Sequence, residues 1–207
     1  MRYIFTCFAL LVLTLTTQSG WGLMFTANKL NETKYYIQIG DEQFRASIGK
    51  SGVIADKKEG DGGTPLGAFT IREIYYRPDR INPKDIHTDF PLIKLNPNDG
   101  WCDDPTAPEY NTPVTLPFKP SHEELWREDH IYDIIAVLSY NIDPVIKGKG
   151  SAIFLHIARD NYSGTAGCIA LKKEDLLKFL SEFKHEDKIE TNLSGNSIVI
   201  KPPTPTP

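Results

Sequence analysis

The sequence has few of the residue patterns that bind metals, phosphates or nucleic acids. Its three cysteines and five histidines form no C-x-x-C or H-x-x-x-H pair, so no zinc site or other cofactor is predicted. No Walker-type phosphate loop is present. Lys and Arg total 23 against 27 Asp and Glu, and this acidic balance gives no electrostatic reason to expect nucleic-acid binding.

The longest apolar run is too short to span a bilayer. Arg2 precedes the uncharged stretch Tyr3–Thr17, and small or polar residues follow it to Gly22. A spanning helix needs roughly 20 apolar residues, whereas this pattern is typical of a secretory signal peptide cleaved after Gly22 or Gly20. We predict a signal peptide at 1–22 and no stable membrane span after cleavage, with an uncleaved anchor as the alternative.

The remaining residues predict one mainly β domain over 23–201, a sandwich or barrel with short helical insertions, and a flexible Pro-rich tail over 202–207. Apolar and polar residues alternate in Lys34–Gly40 and Gln43–Gly49, which predicts a hairpin. Further strands are predicted at Gly67–Tyr75, Leu92–Leu95, Asp133–Tyr140, Ser151–Ile157 and Ser197–Lys201.

Two helices and two connections complete the predicted domain. Ser121–Trp126 opens with a capping-box pattern, and Glu174–Phe183 carries apolar residues at helical spacing. The glycine-rich stretch Asp56–Gly63 is interpreted as a mobile connection. The Pro-rich segment Arg77–Lys119 is too long for a featureless loop, so we expect it to pack over the core or form a lid.

One histidine and one cysteine carry the chemistry. The apolar run Ala152–Ile157 predicts a buried strand that presents His156, and the small-residue loop Ser163–Gly167 leads to Cys168. A thiol attacks a carbonyl as the thiolate and needs a base nearby, while backbone N–H groups of such a loop can face an oxyanion. The pattern outlines a cysteine acyl-transfer enzyme, although an inert buried cysteine gives the same spacing.

The residues around this pair resemble a known family. Thr165–Leu171, with His156 upstream, is similar to the active-site signature of the L,D-transpeptidase catalytic domain family (YkuD-type), and Thr64–Phe69 resembles its other recurring segment. The resemblance covers roughly Lys34 to Phe183. Features similar to one periplasmic branch are Gly100–Pro105, Tyr110–Asn111 and Ser121–Trp126.

The resemblance implies a role for each site residue. Cys168 would be the nucleophile, His156 the general base, and the carbonyl of Ile157 the group that orients the imidazole. The N–H groups of Gly167 and Cys168 would form the oxyanion hole. Ala166 and Ala170 replace a histidine and an Arg or Asn of the commoner signature, and the His-to-Cys spacing is shorter than usual, so the substrate wall is expected to differ.

The candidate substrate-binding residues are Arg159, Thr165, Asn141, Asp103 and Tyr110. Arg159 would bind a substrate carboxylate with its planar fork, or form a surface salt bridge. Asp103, or its neighbour Asp104, would pair with the amino group of an acceptor peptide, or lie in a solvated turn. Asn141 would donate to substrate or cap a turn, and Tyr110 would line a peptide groove with Trp101.

The function implied is a cysteine-dependent L,D-transpeptidase that acts on peptidoglycan stem peptides through a thioester, in the periplasm or cell envelope. Hydrolysis of the same thioester would make it an L,D-carboxypeptidase or endopeptidase. The departures at Ala166 and Ala170 also keep a catalytically silent wall-binding domain open. Cys7 leaves with the signal peptide, so Cys102 and Cys168 are either free thiols or, as is common in secreted proteins, one disulfide.

Overall fold

The computed structural model describes residues 35–39, 42–191 and 198–201. The predicted signal peptide and the predicted tail at 202–207 lie outside the described residues. The strands are β1 (Tyr35–Ile39), β2 (Glu42–Ser47), β3 (Val53–Ile54), β4 (Thr64–Pro65), β5 (Gly67–Phe69), β6 (Ile71–Tyr76), β7 (Leu92–Lys94), β8 (Asp99–Cys102), β9 (Pro113–Thr115), β10 (His122–Glu124), β11 (Ile134–Leu138), β12 (Phe154–Ile157), β13 (Ile169–Leu171), β14 (Lys188–Thr191) and β15 (Ile198–Lys201). A 3-10 helix at Pro83–Asp85 and an α-helix α1 at Lys173–Glu182 complete the elements.

A ten-stranded sheet forms the centre of the fold, in the order β5-β14-β15-β1-β2-β13-β12-β11-β6-β7. The predicted hairpin is confirmed, since β1 and β2 pair antiparallel from Tyr35 opposite Ala46 to Ile39 opposite Glu42. In the middle of the sheet, β12 pairs with β13 in parallel and with β11 antiparallel. These three strands are fully buried, which explains why the sequence shows unbroken apolar runs there.

The predicted strand Gly67–Tyr75 is two strands in the structure. The chain leaves β5, which pairs with β14, and enters β6, which pairs with β11. Thr70 marks the break, where its N–H donates to Ser139 Oγ at 3.0 Å and its carbonyl accepts from Ser139 N–H at 2.9 Å. One continuous apolar pattern therefore supplies two distant parts of the sheet.

The helix predicted at Glu174–Phe183 is confirmed as α1 and packs on one face of the large sheet. Leu176, Phe179 and Leu180 are each 0% exposed and belong to the same core as Leu155 and Ile169. Within the described residues no helix is long and apolar enough to cross a membrane.

A second, three-stranded sheet of order β10-β8-β9 covers the opposite face. Trp101 from this sheet packs edge-on against Phe154 with ring centroids 5.2 Å apart, in a core that also includes Tyr132 and Cys168. Two packed sheets with one helix confirm the mainly β, sandwich-like fold. The long segment Arg77–Lys119 packs over the core, as one of the two alternatives predicted, and supplies β7, β8 and β9.

The short helix predicted at Ser121–Trp126 is wrong. The segment forms β10, which pairs antiparallel with β8 so that Glu123 lies opposite Trp101. Glu124, the capping-box glutamate, lies exposed in this strand, and its neighbour Glu123 accepts a hydrogen bond from the Tyr132 hydroxyl. In so short a segment, pairing with a strand from elsewhere in the chain outweighs the local preference for a helix.

Replacing Phe179 with Ala should destabilise the fold without altering the opposite face. Phe179 is fully buried and stacks on Phe183 with centroids 5.1 Å apart. Truncating a buried phenylalanine removes about 3–5 kcal/mol of unfolding free energy. Urea denaturation measures this change, and Lys173→Ala on the exposed side of α1 is the control. A loss under about 1 kcal/mol for Phe179→Ala would contradict the packing described.

Candidate active site

Parallel pairing of β12 and β13 brings the histidine and the cysteine together. The register sets Leu155 opposite Ile169, so Cys168, the residue before β13, comes level with Phe154. Phe154 N–H donates to Cys168 Sγ at 3.3 Å. His156 is two residues further along β12, and alternate residues of a strand share one face. Both side chains therefore open onto the face that the small sheet covers, opposite α1.

Cys168 is a buried thiol at rest. It is 6% exposed, and Sγ donates to the carbonyl of Ala152 at 3.1 Å. Loss of solvation is the largest cause that raises the pKa of the Cys168 thiol to about 12, and the negative charge of Glu123 adds to it. The thiol form consequently predominates at neutral pH.

His156 is held as a neutral base. Its Nδ1 lies 2.8 Å from the carbonyl oxygen of Ile157, which can only accept, so Nδ1 carries the proton and Nε2 is left with its lone pair. Burial lowers the pKa of His156 to about 4. The resting state therefore has a neutral imidazole and a neutral thiol in the lining of one cavity. Tyr132 packs edge-on against the imidazole, with ring centroids 5.2 Å apart.

The loop before Cys168 is fixed by buried threonines. Thr165 Oγ1 donates to the carbonyl of Cys168 at 2.6 Å, and Thr165 N–H donates to the carbonyl of Ile48 at 2.9 Å. Thr64 is 0% exposed, and its hydroxyl donates to the carbonyl of Gly167 at 2.8 Å. This contact explains physically why the segment Thr64–Phe69 accompanies the cysteine motif.

Gly167 satisfies a steric requirement of this loop, but its N–H is not free. Its φ is +147°, and a Cβ there would lie 2.8 Å from the carbonyl oxygen of Gly63. The predicted oxyanion donor, Gly167 N–H, already has a partner in this structure, because it donates to Thr165 Oγ1 at 3.1 Å. This N–H is therefore unavailable to an oxyanion unless that hydrogen bond is exchanged.

A cavity of about 290 Å³ opens beside Cys168. Of the predicted site residues, those that line it are Cys168, His156, Gly167, Thr165, Arg159 and Asp103. Arg159 is exposed at the cavity and has no ion pair among the described residues. Ala166 also lines the cavity, whereas Ala170 is 1% exposed and lies opposite His156 in the sheet. Of the two departures from the commoner signature, Ala166 therefore changes the substrate wall and Ala170 does not.

Two predicted substrate-binding residues lie outside the cavity. Asn141 holds a turn, since its Nδ2 donates to the carbonyl of Gly150 at 2.8 Å and its Oδ1 accepts from Ile146 N–H at 2.8 Å. This corrects the substrate role in favour of the turn. Tyr110 is 1% exposed and belongs to the core, with its hydroxyl donating to Glu59 at 2.5 Å. Trp101 is likewise buried, at 3% exposure.

Sequence reasoning missed several residues that form the cavity wall. They are Lys50, Lys57, Glu59, Glu123, Arg127 and Tyr132. Lys57 and Glu59 belong to the stretch interpreted as a mobile connection, yet Lys57 is 4% exposed and forms an ion pair with Asp61 at 2.6 Å. Asp61 also accepts from the N–H groups of Lys58 and Gly63, so this loop has a defined internal structure.

Both described cysteines, Cys102 and Cys168, are free and buried, so the thiol alternative holds over the disulfide. In the part of the chain that the structure describes, no group of three His, Cys, Asp or Glu side chains is placed to hold a metal ion.

Sequence comparison places the chain in a family. A sequence model of the L,D-transpeptidase catalytic domain (YkuD) matches residues 25–191, which is most of the chain. The protein belongs to the L,D-transpeptidase catalytic domain family, and its mainly β fold agrees with that membership. No curated protein and no solved structure shows significant similarity to it.

Replacing His156 with Gln should reduce the amount by which acid lowers the free energy of unfolding. The folded state keeps His156 neutral to about pH 4, whereas the unfolded chain protonates it near 6.5. Unfolding therefore takes up a proton as the pH falls through this window, and wild type loses about 3 kcal/mol that the variant does not. Urea denaturation at intervals from pH 7 to 4 measures the difference. Parallel curves for the two proteins would contradict a buried neutral imidazole.

Proposed function

We propose that the protein is a cysteine-dependent L,D-transpeptidase that remodels peptidoglycan stem peptides through a thioester acyl-enzyme. The observation that carries this proposal is the hydrogen bond from His156 Nδ1–H to the carbonyl of Ile157, in the cavity that also holds Cys168. That bond leaves Nε2 as the only imidazole atom able to take the thiol proton. Membership of the L,D-transpeptidase catalytic domain family supports the substrate class.

In the first half-reaction, the carbonyl carbon of the diamino acid in a tetrapeptide stem binds beside Sγ of Cys168. Nε2 of His156 takes the thiol proton, and the thiolate forms a C–S bond with the carbonyl. The tetrahedral intermediate collapses as the C–N bond to the terminal D-alanine breaks. The imidazolium gives its proton to the departing amine, which leaves His156 neutral and Cys168 acylated.

In the second half-reaction, the amine of a neighbouring stem attacks the thioester. His156 takes a proton from this amine, the C–S bond breaks, and the returned proton regenerates the thiol. Water in place of the amine gives an L,D-carboxypeptidase. Attack of Cys168 on an existing cross-link gives an endopeptidase, and both alternatives use the same nucleophile and base.

Stabilisation of the oxyanion requires a small change in the loop. Cys168 N–H is one candidate donor, and Gly167 N–H becomes a second when it exchanges Thr165 Oγ1 for the oxyanion. The hydroxyl of Thr165 keeps its own acceptor, the carbonyl of Cys168, during this exchange. Thr165 thereby acts as a resting partner for the oxyanion-hole amide.

Arg159 is the proposed site for a substrate carboxylate. It lies exposed at the cavity, where a planar guanidinium fork can bind a carboxylate through two hydrogen bonds. We also propose secretion across the inner membrane by the segment 1–22, into the periplasm or cell envelope, where the T-A-G-C motif of Thr165–Cys168 would meet its substrate.

Incubating the purified protein with tetrapeptide muropeptides should release D-alanine and form cross-linked dimers. Cys168→Ala removes the nucleophile and should abolish both products, a loss of at least about a thousandfold. Mass spectrometry of the muropeptides identifies the products. Cys102→Ala, which removes the other buried thiol, is the matched control and should keep activity.

The product pattern separates the candidate functions. Tripeptide without dimers assigns an L,D-carboxypeptidase, and cleavage of supplied cross-linked dimers assigns an endopeptidase. If wild-type protein leaves both tetrapeptides and dimers intact, catalysis is rejected. The alternative that Ala166 and Ala170 suggested, a catalytically silent wall-binding domain, then remains.

A further inference from the structure

Carboxylates gather on one side of the cavity that holds the nucleophile. Glu59, Asp103 and Glu123 all line it. Asp103 follows β8, and Glu123 lies in β10, the strand paired with β8. Asp103 N–H donates to the carbonyl of Ser121 at 3.2 Å, which fixes the two carboxylates on the same small sheet. We call Asp103 and Glu123 the acidic wall.

Asp103 and Glu123 have fewer hydrogen-bond donors on their carboxylate oxygens than Glu59, the third carboxylate of the cavity. Glu59 Oε2 accepts from Tyr110 and from Ser151, at 2.5 Å and 2.7 Å. Oδ1 of Asp103, in contrast, is buried and has no hydrogen-bond partner among the described residues. Glu123 accepts from Tyr132 through Oε1 at 2.5 Å, and no donor within the described part of the chain reaches its Oε2. A buried carboxylate oxygen without a donor is costly unless a ligand supplies one.

The cations around the cavity form ion pairs with other carboxylates, and among the described residues none forms one with the acidic wall. Lys57 pairs with Asp61 at 2.6 Å, and Arg127 binds both oxygens of Asp129 at 2.8 Å. In the described residues, neither Lys50 nor Arg159 forms an ion pair with Asp103 or Glu123. Arg127 acts on Glu123 through its charge, but its guanidinium is bound to Asp129, and burial raises the pKa of Glu123. The wall therefore offers free acceptor atoms beside Cys168, and no cation among the described residues forms an ion pair with it.

We propose that Asp103 and Glu123 form a subsite for a primary ammonium group of the substrate, an inference that deepens the proposed function and rests on it. An ammonium carries three donors on one centre, which suits free oxygens on two neighbouring strands. The diamino acid of a stem peptide supplies such a group, either on the donor stem beside the scissile carbonyl or on the acceptor stem. Arg159 then binds carboxylate on another part of the same cavity.

Binding of an ammonium here also acts on the nucleophile. The charge of Glu123 is the second cause, after desolvation, that raises the pKa of the Cys168 thiol. A cation at the acidic wall offsets that charge and favours the thiolate. Desolvation keeps the thiol protonated in the free enzyme, and this carboxylate adds to that effect, so substrate binding and thiol activation are coupled through Glu123.

Cadaverine, a diamine of the right chemistry, should bind wild-type protein at the acidic wall, and 1,5-pentanediol, which lacks charge, should not. Saturation-transfer NMR measures both. Asp103→Asn and Glu123→Gln should each weaken cadaverine binding by about tenfold or more, since each removes a charge-assisted hydrogen bond. Asp104→Asn is the matched control: its side chain is bound to Thr106 at 2.7 Å and lies outside the cavity lining. Equal binding by all three variants, or no saturable binding by wild type, would overturn the subsite.

Alkylation of Cys168 by iodoacetamide tests the coupling without turnover. Glu123→Gln should raise the rate severalfold at about pH 8, whereas Asp104→Asn should leave it unchanged. An unchanged rate in Glu123→Gln would refute the electrostatic link. Circular dichroism and thermal unfolding confirm that each variant is folded.

The donor and acceptor origins of the ammonium give different kinetics with muropeptides. If the acidic wall binds the donor stem, Asp103→Asn slows release of D-alanine. If it binds the acceptor stem, the same variant leaves that release unchanged and shifts products from dimers to tripeptide. If wild-type protein binds cadaverine but leaves muropeptides intact, the proposed function is rejected and the subsite is kept. If wild-type protein processes muropeptides but Asp103→Asn and Glu123→Gln bind cadaverine as wild type does, the subsite is rejected and the proposed function is kept.

Discussion

The site depends on the parallel pairing of β12 with β13. Those two short buried strands bring a histidine and a cysteine from separate segments onto one face of the large sheet. The same pairing leads the backbone of Phe154 to Sγ and leaves the carbonyl of Ile157 to orient the imidazole. The supporting loop then needs a glycine at position 167, because a Cβ there would clash with the carbonyl oxygen of Gly63. It also needs the buried Thr64, whose hydroxyl donates to the Gly167 carbonyl.

Burial keeps the proposed catalytic pair, Cys168 and His156, uncharged at rest. Desolvation moves the pKa of Cys168 up and that of His156 down, so both members are neutral over the whole physiological range. A low-dielectric cavity of this kind strengthens hydrogen bonds to a developing oxyanion, but it also delays thiolate formation until substrate arrives. Charged groups of the substrate are therefore expected to contribute to activation as well as to binding. The acidic wall and Arg159 are the two parts of the cavity suited to that role.

The sequence predicts those parts of the fold that a single local pattern determines. The hairpin β1–β2, the helix α1 and the strand that presents His156 have periodicity or apolar runs long enough to identify. The small sheet was missed because β8, β9 and β10 are only three or four residues long and pair with distant chain. Glu59 and Glu123 were missed for a related reason: a charged residue in a polar segment gains significance only when tertiary packing turns it into a cavity. Tyr110 and Asn141 failed as site residues because each satisfies its polar atoms within the protein.

In the proposed mechanism, Cys168 becomes covalently acylated with His156 as its base. Intact-protein mass spectrometry after brief mixing with a tetrapeptide stem tests it most directly. We expect an added mass equal to the stem peptide without its terminal D-alanine, mapped by proteolysis to the peptide containing Cys168. His156→Gln should slow its appearance by at least about a hundredfold. An adduct on another residue, or D-alanine release without any adduct and with Cys168→Ala still active, would contradict the mechanism.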